Sequence, residues 1–207
     1  MSNLKVINLL NDKNKNYKKE ILDIIKKENP DSILANLSEF IIYKYFDIAI
    51  KSKKIHFFVL SLNNSLLGYA ILANKPKYLL SEFKTLKLRI FKDLLINKKF
   101  YTLINIIISF FKFDTLFLKK KKLKIFEESL NLNLIAIKKE YQSKGYGKIF
   151  IDKILQEIKK HVKFTSICCE TYSDRAEVFY KNKLNFFYLG KKIRLKKQLK
   201  ILIKKLY

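Results

Sequence analysis

The stretch Gln142-Ser143-Lys144-Gly145-Tyr146-Gly147-Lys148 lies between two apolar runs of different period. Upstream, residues 129–137 place Leu130, Leu132 and Leu134 in alternation and continue through Ile135, Ala136 and Ile137, which reads as a strand. Downstream, residues 147–161 put Ile149, Phe150, Ile154, Leu155 and Ile158 on one helical face. Glycines at a strand-to-helix junction let the backbone approach a ligand and take conformations closed to other residues. The N–H groups of such a loop, with the positive end of the following helix, suit a pyrophosphate. Two familiar phosphate loops are excluded. A Walker loop ends in Gly-Lys-Ser/Thr, and Ile149 stands where its hydroxyl is required. A dinucleotide fingerprint needs three glycines and an early place in the chain, and both are missing.

Working outward, residues 5–10 form a short strand candidate. Residues 16–29 are an amphipathic helix stopped by Pro30. Asp31 or Ser32 can cap a second helix carrying Ile33, Leu34, Leu37, Ile41, Tyr45 and Ile48. Residues 55–62 and 66–73 read as a hairpin around Asn63-Asn64-Ser65. Toward the end come a buried strand at 165–171 and a helix at 174–183 capped by Ser173 or Asp174. Residues 186–190 come next as a strand, and 193–203 as a strand or a helix. Residues 74–128 break this order with two helical stretches. One, after Ser81, carries Phe83, Leu86, Ile90, Leu94 and Leu95; the other, 100–113, is apolar nearly all round, and the lysine run 119–122 closes the segment. Having no strand partners, 74–128 reads as an insertion into a single domain spanning 1–207.

Composition narrows the classes. An apolar share of 49% supports a packed core. There are 44 Lys+Arg against 18 Asp+Glu, a formal charge of +26, yet only Arg89, Arg175 and Arg194 are arginine. Nucleic-acid readers lean on the arginine fork. Here lysine accompanies abundant Asn, Ile, Phe and Tyr, as AT-rich coding would give, so the charge reads as a solvated surface and no nucleic-acid partner is expected. Cys168 and Cys169 are adjacent on a strand, point to opposite faces and cannot staple distant segments. A reducing, cytoplasmic setting is expected. The first residues lack the apolar run of a signal peptide, and no apolar stretch reaches spanning length. His56 and His161 stand far apart in sequence, and no metal site is expected.

The Q-x-x-G-x-G form of Gln142, Gly145 and Gly147 resembles the acetyl-CoA loop of the GNAT N-acetyltransferase superfamily. A second segment also resembles that family: Ala176, Phe179, Tyr180 and Phe186 are kept, with Ser173 where Asn is common and Asn185 where Gly is common. The order of elements is similar as well. The resemblance implies an α/β (α+β) fold, a mixed and mostly antiparallel sheet flanked by helices, here with a helical insertion between strands 3 and 4. It implies an acyltransferase that moves an acetyl group from acetyl-CoA to a primary amine by direct attack in a ternary complex, without a metal. A small molecule or amino sugar is the favoured acceptor. Ile135 and Ile137 would pair their backbone with the pantetheine amides. Gly145 and Gly147, with the N–H groups of Ser143, Lys144, Tyr146 and Lys148, would hold the pyrophosphate, and Gln142 would brace the loop. Ser173 stands at a position of side-chain contact to the cofactor.

Tyr180 matches the family's general acid, which protonates the leaving thiolate; a phenol with a free pKa of about 10 carries its proton at neutral pH. The competing reading is a packing tyrosine on an amphipathic helix. Glu170, at a strand end, is the favoured base over Glu127 and Glu128. The alternative function is a non-catalytic acyl-CoA-binding or nucleic-acid-binding module on the same fold. Phe100, Leu103, Ile104, Ile107, Ile108 and Phe111 in the insertion demand cover. A lid or wall over the acceptor site is expected, ahead of a homodimer contact or a peripheral membrane contact.

Overall fold

A computed structural model describes residues 3–10, 17–110, 115, 118–161, 163–194 and 197–206. The hairpin of β2 (Ile55–Leu62) and β3 (Ser65–Ala73) turns on Asn63 and Asn64, whose φ angles are 48° and 67°. Asn tolerates the left-handed region, and a two-residue turn of that hand matches the twist of the strands it joins. Ser65 therefore belongs to the strand. β1 (Leu4–Asn8) flanks β2, and β4 (Leu130–Ile137) flanks β3, all antiparallel. β5 (Ser166–Thr171) runs parallel to β4, and β7 (Lys197–Lys205) and β6 (Phe187–Arg194) complete a mixed, mostly antiparallel sheet of seven strands in the order β1-β2-β3-β4-β5-β7-β6. The last segment is a strand, not a helix. Leu202 joins the core on one face while Ile201 and Ile203 join it on the other, a period of two.

Helices cover both faces. α1 (Lys18–Glu28) and α2 (Glu39–Lys51) pack on one, with Ile25, Ile42 and Phe46 wholly buried. On the other face lie α7 (Tyr146–Lys159) and α8 (Asp174–Leu184). The single helix expected from residue 31 onward is two pieces. A 3₁₀ turn at Leu34–Asn36 is followed by extended backbone at Leu37 and Ser38 (ψ 158° and 153°) before α2 begins. The Ser32 hydroxyl accepts from the Ala35 N–H at 3.1 Å and so caps the short turn. The Ser38 N–H donates to Asp93 Oδ2 at 2.9 Å. The apolar period runs on through the break, which is why the sequence pattern does not reveal it.

Among the described residues the insertion holds four α-helices where two were expected: α3 (Pro76–Glu82), α4 (Lys87–Ile96), α5 (Phe100–Phe110) and α6 (Lys120–Glu128). α6 contains most of the lysine run and buries Phe126, so that run opens a helix. Residues 111–114, including Phe111, lie outside the described residues. The segment packs on the α1–α2 side: Phe83 stacks on Tyr45 at 4.1 Å between ring centroids, and Leu86, Leu94 and Leu103 join the same core. Cys168 packs with Phe126 and Ile201, and Cys169 with Tyr180 and Leu202, so the two free thiols face opposite sides of the sheet.

β4 changes face midway. Leu72 of β3 opposes Leu132 and Ile71 opposes Leu134, leaving Asn133 without a partner, a β-bulge. Leu130 and Leu132 consequently pack under α7 and α8, whereas Leu134 and Ala136 pack under α1 and α2. The unbroken alternation of the three leucines expected from sequence does not hold, because one extra residue reverses the pleat. Past the bulge β3 and β4 run close. A Cβ on Gly68 would lie 2.4 Å from the Ala136 carbonyl oxygen and 2.6 Å from Ile137 Cδ1. Gly68→Ala should lower stability by about 1–3 kcal/mol through overpacking. Thermal denaturation checks this, and an unchanged melting temperature would mean that β4 yields freely here.

Candidate active site

β4 and β5 hydrogen-bond only briefly, Leu130 to Leu132 opposite Ile167 to Cys169. Beyond Leu132 the bulge turns β4 along β3, while β5 continues along β7 to Thr171. A cleft of about 1020 Å³ opens in the wedge. Its walls are β4 from Asn131 to Ile137, the end of β5, the 142–148 loop, the inner face of α8 and residues 28–34. The exposed edge of β4 offers backbone groups to an extended ligand, as an added strand would use them.

The loop is built for an anion. Gly145 has φ 84° and Ser143 φ 60°. Left-handed residues alternating with ordinary ones turn successive N–H groups to one side, a nest. Among the described residues, the N–H groups of Ser143, Lys144, Gly145, Tyr146 and Gly147 donate to no protein acceptor. The Lys148 N–H, expected to join them, instead donates to the Gly145 carbonyl at 3.1 Å in the first turn of α7. Gln142 braces the loop: its amide nitrogen donates to the Ile137 carbonyl and to Glu28 Oε2, each at 2.8 Å. The bracing atoms thus tie the loop to β4 and to α1.

Side chains of the expected set divide. Ile135, Ile137, Gln142, Ser143, Gly145, Gly147, Lys148, Glu170, Ser173 and Tyr180 all line the cleft. Lys144 and Tyr146 do not: the Lys144 ammonium lies over the Tyr141 ring at 5.7 Å, and Tyr146 meets the edge of the same ring. The Ser173 hydroxyl accepts from the Ala176 N–H at 3.3 Å and caps α8. Glu127 and Glu128 sit at the end of α6, ahead of Leu130 where β4 and β5 are still joined, and line none of the cleft. His161 closes α7 beside Glu157, 3.6 Å away. Among the described residues no group of His, Cys, Asp and Glu could hold a metal ion.

Tyr180 is 6% exposed and packs against Phe179 and Phe186. Burial, with the neighbouring Cys169 thiol to which it is hydrogen-bonded, pushes its phenol well above the usual tyrosine range, so it holds its proton. Glu170 is ion-paired with Lys192 at 2.9 Å, and Lys192 also lies over the Phe126 ring at 4.5 Å. Arg175, not singled out from sequence, lines the cleft and donates from its guanidinium to the Ser143 hydroxyl at 3.1 Å. It is one of only three arginines and stands in the first turn of α8, inside the second segment that carries the family resemblance, which was the available signal. Tyr172 also went unnoticed. Its hydroxyl donates to Asp31 Oδ2 at 2.7 Å, and burial with that carboxylate raises its pKa to about 12.

The loop of free N–H groups at a splayed pair of parallel strands lies at the motif that carries the family resemblance, and sequence comparison agrees with that resemblance. The profile of the acetyltransferase (GNAT) family matches residues 19–186, and the chain belongs to that family. Among curated proteins none matches it in sequence. Solved structures share the fold at low identity. Spermidine N-acetyltransferase from Vibrio cholerae, solved with CoA and spermine, is 12% identical with a TM-score of 0.57, covering 98% of this chain and 95% of that one. Ard1 from Thermoplasma volcanium is 11% identical with a TM-score of 0.56, covering 100% and 98%. An acetyltransferase from Bacillus subtilis in complex with CoA is 13% identical with a TM-score of 0.51, covering 99% of each.

Gly147 serves a contact between helices. A Cβ there would stand 3.2 Å from Phe179 Cζ. Gly147→Val should displace α8 from the head of α7 and weaken CoA binding by about tenfold or more, which is about 1.4 kcal/mol. Phe179→Ala should restore much of that loss. Calorimetry on the single and double variants checks it; no rescue would mean that the valine obstructs the ligand directly.

Proposed function

We propose that the protein is an N-acetyltransferase that passes the acetyl group of acetyl-CoA to a primary amine in a ternary complex. The observation that carries this reading is the row of unpaired N–H groups from Ser143 to Gly147, which opens onto a cleft whose wall also holds a buried, protonated phenol. The nest and the Arg175 guanidinium suit the pyrophosphate, with Lys148 and Lys183 adding positive charge in the cleft. The open edge of β4 from Ile135 to Ile137 suits the pantetheine amides. Acetyl-CoA brings a thioester carbonyl to the amine. As the nitrogen–carbon bond forms and the carbon–sulfur bond breaks, Tyr180 turns its proton from Cys169 to the departing sulfur, and Glu170 receives the proton lost by the amine. Glu170 is the only one of the three sequence-derived base candidates on the cleft wall. Positioning supplies much of the rate.

For the acceptor, Glu28, Asp31 and Glu170 line the cleft of a protein whose overall charge is +26. These three carboxylates share the cleft with Lys148, Arg175 and Lys183 and suit a small cationic amine or an amino sugar, which the spermidine enzyme among the structural relatives supports. We place the reaction in the cytoplasm, where the two free thiols stay reduced, and treat residues 1–207 as one domain. The family match spans both sides of 74–128, which supports that division. A non-catalytic acyl-CoA binder is the second reading, favoured by the commitment of Tyr180 to Cys169 and of Glu170 to Lys192.

An amine panel with acetyl-CoA and a thiol reporter distinguishes the two. Tyr180→Phe should cut kcat by about 10²–10⁴-fold while leaving CoA binding intact. Because the phenol's pKa is raised, its proton stays in place as pH rises, and kcat should not fall between about pH 8 and 10. Wild-type turnover in Tyr180→Phe would return the residue to packing. A kcat that falls to half near pH 10 in the native enzyme, with the loss absent in Tyr180→Phe, would show an ordinary phenol.

A further inference from the structure

The described residues of the insertion line none of the cleft, so they do not form the lid or wall over the acceptor site expected from sequence. It packs on the outside of α2, and α4 and α5 each carry two apolar faces. The inner faces, with Ile90 and Leu94 on α4 and Leu103 and Ile106 on α5, join the core. The outer faces are exposed: Leu88, Phe91 and Leu95 on α4, and Phe100, Ile104 and Ile107 on α5. These are spaced three, four or seven apart, so each set is one continuous stripe. At the end of α4, Ile96 is 78% exposed, as is Leu88. A patch of this kind on a folded protein marks a binding surface.

Charge decides what binds. Between residues 84 and 107 six cations, Lys84, Lys87, Arg89, Lys92, Lys98 and Lys99, are all exposed. The one carboxylate in that stretch, Asp93, accepts from the Ser38 N–H. A two-fold dimer through this face would set the same cations against one another, because both subunits present the same patch. A nucleic acid meets the cations but offers little to aliphatic side chains such as Leu88, Leu95, Ile104 and Ile107. An anionic bilayer satisfies both features. Apolar stripes enter the acyl boundary while flanking lysines reach the headgroups. The whole chain, at +26, is drawn toward such a surface.

We propose that the α4–α5 hairpin of the insertion docks the protein on the surface of anionic membranes, with Leu88, Phe91, Leu95, Phe100, Ile104 and Ile107 entering the lipid. Among the described residues no helix is long and apolar enough to cross a bilayer, so the contact is interfacial. This inference is independent of the proposed chemistry.

Flotation of the full chain with vesicles tests it. The protein should float with phosphatidylcholine vesicles containing phosphatidylglycerol and bind pure phosphatidylcholine about tenfold more weakly or worse. Phe91→Glu with Ile104→Glu should abolish flotation while CoA binding and the melting temperature hold. If that variant fails to fold, Leu88→Ser with Ile96→Ser, at the most exposed positions, should weaken binding in the same direction. Unchanged flotation of a folded variant would mean that charge alone binds, and would overturn the proposal. So would an absence of flotation, whether light scattering finds a monomer or a dimer that the glutamates dissociate.

Discussion

The architecture turns on one unpaired residue. Asn133 is extra in β4, and by bending that strand along β3 it ends the hydrogen bonding to β5 one residue earlier, at Leu132. A parallel pair that separates in mid-sheet would leave two raw edges inside the core. Here β5 keeps β7 as a neighbour and β4 keeps β3, so each strand stays paired on one side while a cleft opens between them. The same residue reverses the pleat, which brings Leu134 and Ala136 under α1 and α2 and leaves Ile135 and Ile137 with α7 and α8. Both walls of the site are thus anchored in core, on opposite faces of the sheet.

The loop beyond β4 depends on that bend. The strand delivers Ile137 to the place where its carbonyl accepts from Gln142, and Gln142 also reaches Glu28 on α1. Two elements far apart in sequence therefore fix the loop before any ligand arrives. Preorganised N–H groups need no rearrangement to receive an anion, which makes them effective in binding and in catalysis. The glycines divide the remaining work. Gly145 supplies the left-handed residue just before α7, and Gly147 admits the ring of Phe179, so that α8 can bring Tyr180 and Arg175 to the same cleft.

Much of this was legible in the sequence and some was not, for identifiable reasons. Periodicity located the hairpin and the two helices of the second half, because Ile154 sits in a pattern near four that reports one buried face, but it left 193–203, with Leu202, open between strand and helix. It misread β4, since three leucines in alternation look the same with or without a bulge. It missed the break at Leu37 and Ser38 because the reward for breaking the helix, a bond to Asp93, comes from the insertion. The family resemblance assigned the Lys148 N–H to the ligand because a motif gives residue order and not which donors the first helical turn consumes. Arg175 escaped for the opposite reason. Composition had argued that the basic residues were surface decoration, and that average concealed one arginine with a specific contact.

The insertion shows how a segment outside the cleft can still shape it. Residues 31–34 line the cleft, and the chain leaves them through extended backbone at Leu37 and Ser38. Ser38 is held by Asp93 of α4, and Tyr45 in the middle of α2 is stacked on Phe83 near the entry to the same segment. On the other side Tyr172, just past β5, holds Asp31. The 31–38 segment is therefore tied at one end to the wall that carries Glu170 and at the other to the helices with the exposed apolar stripes. The insertion thus touches this part of the molecule through a hydrogen bond from main chain to Asp93 and through the ring stack of Phe83. Neither contact involves the loop that suits the pyrophosphate. The 31–38 wall of the cleft and the 142–148 loop are in this way supported by different parts of the molecule.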